Sequence, residues 1–130
     1  MKFPSRASIE NLRKQYPRDT RVELLEMDDI QAPPIGTCGT VKAVDDTGSL
    51  IVAWDNGSGL NVVYGADKVK ISQTVKTICY GKSDIWESRE KAEQFFLEAM
   101  ISCEGSECER YTKIYTELKM GKNVCSDEYK

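Results

Sequence analysis

The sequence predicts an α+β protein: a small five-stranded β-barrel, a short helix before it and an antiparallel helical hairpin after it. Three observations lead there. Residues 36–70 hold three short runs rich in β-branched and aromatic residues, at 40–44, 50–54 and 60–64, each bounded by turn residues. Residues 5–16 place Ile9, Leu12 and Tyr16 on one helical face and stop at Pro17. Residues 88–120 hold two helix-length patterns with only Glu104, Gly105 and Ser106 between them. These divide the chain into an N-terminal helix (1–17), a barrel (18–74) and a helical hairpin with a polar tail (75–130).

The elements follow in order. Ser5 or Ser8 caps the first helix. The first strand, 21–27, carries apolar residues on both faces and so reads as covered on each side. An acidic loop with Asp28, Asp29 and the pair Pro33-Pro34 follows; proline cannot join a central ladder and holds the segment extended. Asp45 to Gly48 turns the chain between the second and third strands. Asn56-Gly57 marks the next hairpin, because both residues tolerate positive φ. A fifth strand falls near 69–71, and five short strands at this spacing point to a small barrel. Residues 73–86 form a link in which 75–80 is a further strand candidate. In the helix over 88–103, Ala92, Phe95, Phe96, Ala99 and Met100 make the apolar face and Ser88 the cap. Ser106 and Glu109 form a capping box that opens the second helix. The tail from Lys122 is polar.

Arg21-Val22, Gly39-Thr40-Val41, Trp54-Asp55-x-Gly57 and Tyr64, within the stretches RVELLEMDD, APPIGTCGTVKAVDD, LIVAWDNGSGL and YGADK, resemble SH3-like barrels. The likeness is to a small domain of unknown function common in Firmicutes and their plasmids, phages and integrative elements, over about residues 16–72. A looser likeness is to ubiquitin-ligase-associated SH3-like modules. The stretch from Ile78 to Tyr111 is similar to a helical module of small integrative-element proteins. Both resemblances imply mobile-element cargo, and neither implies a chemistry.

Composition narrows the function classes. The chain has no histidine, the usual general acid–base residue, and no cysteine with an obvious activating base, so a non-enzymatic protein is expected. No Cys-x-x-Cys pair occurs; the five cysteines read as reduced structural thiols, and neither a metal nor a cofactor is expected. Asp28, Asp29, Asp45 and Asp46 lack the spacing of a calcium loop and read as turn residues. No apolar run suits a membrane span and the N-terminus lacks a signal-peptide core, so a cytoplasmic protein is expected.

Residues 1–76 carry ten basic and ten acidic residues; residues 77–130 carry eight and eleven, which accounts for the net −3. The acidic outer face of the hairpin and the acidic-proline loop suit a basic protein partner. The expected function is therefore inhibition or modulation of a host defence nuclease, of CRISPR-effector or restriction type, through protein–protein contacts. The candidate contacts are Asp28, Asp29, Trp54 and Tyr64 on the barrel and Glu104, Glu107 and Arg110 on the hairpin. The runner-up is a nucleic-acid- or peptide-binding module whose groove combines Trp54 and Tyr64 with Lys42, Lys68, Lys70 and Lys76.

Overall fold

The computed structural model describes residues 5–63 and 65–128, with three helices and seven strands in two sheets among them. The chain divides into two compact units, 1–72 and 73–130.

The first unit begins with α1 (Arg6–Gln15), capped by the Ser5 hydroxyl, which accepts from the Ser8 N–H. Four strands follow: β1 (Arg21–Glu26), β2 (Cys38–Val44), β3 (Leu50–Trp54) and β4 (Lys68–Ile71). They form one antiparallel sheet in the order β3-β2-β1-β4. Ile9 of α1 packs with Val22, Leu24, Val41, Val52 and Trp54, so the helix belongs to this unit's core. Register shifts in β1 and β2 bend the sheet.

Two expectations are corrected. The fourth expected strand, at 60–64, reduces among the described residues to a single bridge, Val62 with Leu50, and β3 and β4 do not pair, so the sheet is open rather than a closed five-stranded barrel. Just beyond the bridge the Val63 N–H donates to the Asp67 carboxylate, and the chain turns there. Also, β1 is covered along one face, where Val22 and Leu24 are fully buried, but only at its start on the other, where Arg21 is buried, Glu23 half-buried and Leu25 exposed.

The second unit has a hairpin of β5 (Val75–Cys79) and β6 (Lys82–Trp86), joined through Tyr80 and Gly81, both at positive φ. Two helices follow, α2 (Arg89–Ser102) and α3 (Ser106–Lys119), and then β7 (Val124–Ser126), which pairs parallel to β5. The Ser88 hydroxyl caps α2. Contrary to the capping-box expectation, α3 starts at Ser106 itself; Gly105 is its N-cap and supplies no side-chain bond. Arg89, at the start of α2, donates to the carbonyls of Leu118, Gly121 and Lys122 and to Asn123 Oδ1. It thereby caps the end of α3 and sets the helix pair antiparallel. Phe96, Ile114, Leu118, Val75 and Cys125 form the core.

Cys103 and Cys108 are joined in a disulfide across the α2–α3 turn, while Cys38, Cys79 and Cys125 are free thiols. The expectation of five reduced thiols is thus corrected for one pair. The tight hairpin turn brings these two side chains together, a closeness that sequence spacing does not reveal.

Candidate functional site

Several residues that carry the barrel resemblance, Arg21, Val22, Thr40, Val41 and Trp54, are buried. The Arg21 guanidinium, fully buried, donates to both carboxylate oxygens of Asp55 and to the Thr40 hydroxyl at 2.9 Å. A Cβ at Gly39 would lie 2.6 Å from a Val52 methyl and 2.9 Å from the Trp54 ring, so β2 and β3 approach closely only because glycine is there. Trp54 is 4 % exposed, and its indole N–H donates to the Leu60 carbonyl at 2.7 Å. It is a core residue, not the wall of an open groove. Tyr64 lies outside the described residues. Lys68 and Lys70 pair with Glu26 and Glu23 on the neighbouring strand. The groove of stacking plus free charge thus loses its tryptophan and has two of its lysines neutralised.

Around Asp28 and Asp29 the geometry is different. Both are exposed, on a loop tied down at each end. The Asp29 carboxylate accepts from the Gln31 N–H at 2.8 Å, and the Asp29 carbonyl from Ala32. Pro33 is buried. The Thr37 hydroxyl and N–H both donate to the Pro34 carbonyl. Within the first of these turns Ile30 stands fully in solvent, at 101 % exposure, and within the second Ile35 is 63 % exposed. A braced loop that presents isoleucine beside two carboxylates fits recognition of another surface. The aspartates are legible in the sequence as an acidic loop; the role of Ile30 is not.

In the second unit the structure brings Glu107 and Arg110 together around a residue that the sequence reading passed over, Tyr80. The Arg110 guanidinium sits 4.4 Å from the Tyr80 ring centre, and the Tyr80 hydroxyl donates to Glu107 at 3.3 Å. Tyr80 takes a left-handed φ of 54° in a two-residue hairpin turn, where asparagine or glycine costs less. Asp127 anchors the cluster from below. One of its oxygens accepts from Arg110 at 2.7 Å and from the Tyr80 N–H at 2.9 Å. Glu104 is exposed in the α2–α3 connection.

Asp127, Cys79 and Tyr80 in this cluster, and Cys125 in the core, are shifted away from neutrality. Burial would raise the Asp127 carboxyl, but the Tyr80 N–H and Arg110 outweigh it and hold it below the usual carboxylate range. Burial, then the Asp127 charge and a hydrogen bond to it, pushes the Cys79 thiol up. Partial burial and then Glu107 raise the Tyr80 phenol. Burial pushes Cys125 up to about 12. Thiols and phenols so placed stay protonated at neutral pH and are poor nucleophiles.

Among the described residues, no group of three or more His, Cys, Asp or Glu side chains could hold a metal. The Asp45 carboxylate is spent on its own turn, accepting from Thr47 and Ser49, and Asp46 pairs with Arg13. Among the described residues no helix is long and apolar enough to cross a membrane.

The first unit is thus a bent, open antiparallel sheet sealed by a helix, with a buried Arg–Asp pair and a braced acidic loop. The chain belongs to the family described as a domain of unknown function (DUF4314), which matches residues 5–72, the extent of that unit. No curated protein and no solved structure matches the chain.

Proposed function

We propose that this is a non-catalytic protein-binding module, an opened SH3-like unit that docks through the 27–36 loop on a basic protein surface. The partner class is a nucleic-acid-targeting defence nuclease, of CRISPR-effector or restriction type, whose activity is blocked or modulated by the contact. The observation that carries the reading is Ile30: a fully exposed isoleucine on a hydrogen-bonded loop, directly after Asp28 and Asp29. An apolar anchor entering a pocket, with carboxylates meeting lysine or arginine at its rim, is how a small interface concentrates its binding energy. The nuclease class rests on the mobile-element resemblance and on the charge such enzymes present to nucleic acid. The protonated thiols and phenols support a non-catalytic reading.

The test is binding and inhibition against a panel of purified CRISPR effectors and restriction endonucleases, with Ile30→Asp and Asp28→Lys/Asp29→Lys beside the parent chain. All three proteins should unfold at the same temperature. Ile30→Asp should weaken binding at least tenfold, and the double variant should chiefly slow association at low salt. Absence of binding to every nuclease, or equal binding by Ile30→Asp, would overturn the proposal.

A further inference from the structure

We infer that the Cys103–Cys108 disulfide is a redox-operated latch on the first turn of α3, and hence on the Tyr80–Glu107–Arg110 cluster. This goes beyond the loop-docking reading and does not depend on it. The first turn of a helix has unpaired N–H groups and is normally held by a side-chain cap. Here the N-cap is Gly105, at φ 66°, and it supplies no such bond. Nor is the turn held by burial: Ser106, Glu107 and Glu109 are exposed, and the buried residues of α3 are Ile114 and Leu118, further along. The covalent tie from Cys103, the C-cap of α2, to Cys108 therefore takes the place of a cap. Glu107 lies next to Cys108, and Arg110 two residues on, so the same turn presents both groups to Tyr80.

Reduction balances with a dithiol. One reductant thiolate attacks one sulfur of the bond and releases the other cysteine as a thiolate, which takes up a proton. The second reductant thiol resolves the mixed disulfide. The chain gains two electrons and two protons, leaving two cysteine thiols, and the reductant becomes a disulfide. Opening the short loop restores chain freedom to the turn, so its amides open more often.

The experiment is residue-resolved amide exchange on the whole chain, air-oxidised and dithiothreitol-reduced, with Cys103→Ser/Cys108→Ser as the permanently open form. Thiol titration should count three reactive cysteines in the denatured oxidised chain and five after reduction. On reduction, the amides of Glu109 to Thr112 should exchange roughly tenfold faster. Those of Ile114 to Leu118 should not change, and the Tyr80 ring resonances should shift. The double variant should match the reduced protein under both conditions. Five reactive thiols in the air-oxidised chain would overturn the inference. So would equal exchange at 109–112 in the two forms, or a reduction effect that persists in the double variant.

Discussion

The buried Arg21–Asp55 pair offers the sharpest test of how the first unit is held together. In Asp55→Ala the guanidinium loses the carboxylate it donates to while staying fully inside the unit, still bonded to the Thr40 hydroxyl. Removing one partner of a buried pair costs roughly 3–5 kcal/mol, because the remaining charge loses its compensation. Asp55 is 22 % exposed, and water can enter where its carboxylate was, so the lower end, about 3 kcal/mol, applies. A unit of this size holds roughly 4–11 kcal/mol in all, and a 3 kcal/mol loss should lower its midpoint by roughly 12–24 °C. The assay is urea and thermal unfolding followed by Trp54 fluorescence in a Trp86→Phe background, so that only the first unit reports. Two companions separate a stranded charge from a lost contact. Arg21→Met/Asp55→Ala removes both charges and should recover most of the loss. Asp46→Ala breaks the exposed pair with Arg13 and should leave the midpoint unchanged. A loss below about 1 kcal/mol in Asp55→Ala, or a double variant no better than the single, would refute the reasoning.

Other outcomes follow from the same contacts. Gly39→Ala places a methyl against Val52 and Trp54 and should cost about 1–3 kcal/mol in the first unit, read by the same fluorescence. Asp127 has a lowered folded pKa, so its contribution is complete above the ordinary carboxyl value of 3.8 and is lost as pH falls through the folded value. Asp127→Asn should therefore cost about 2 kcal/mol at pH 7 and flatten the acid-induced loss of the second unit's stability below pH 4, measured by urea titration at several pH values.

What the sequence made legible was local. The Ser5 and Ser88 caps and the apolar spacings around Ile9 and Phe96 are set within a turn or two of chain, and α1 and α2 lie where those signals place them. β6 escaped notice because Lys82, Ser83 and Ile85 are exposed on an edge strand and their pattern is largely polar. β7 is three residues long and exists because Glu117 and Lys113 of α3 hold Ser126 by its N–H and carbonyl, a tie across nine and thirteen residues. Tyr80 and Asp127 are 47 residues apart, and only the fold joins them. Within the candidate contacts, Asp28 and Asp29 were visible as an acidic loop, whereas Ile30 looked like any apolar residue until its full exposure set it apart.

The family resemblance is informative about architecture for a physical reason. Its signature positions have jobs in building the unit: buried Arg21 donates to Thr40 and to the carboxylate of Asp55 at the surface, Gly39 lets two strands close, and Trp54 fills the space above it and bonds to Leu60. Such positions would be needed by any member that keeps this sheet, whatever it binds. They therefore carry the fold and leave partner choice to other positions, which the proposed function places on the loop that β1 and β2 hold out into solvent. By this argument, exchanging the 27–36 loop between two members of the family should move partner choice with the loop. Exchanging the Arg21–Asp55 pair for apolar residues should change stability alone.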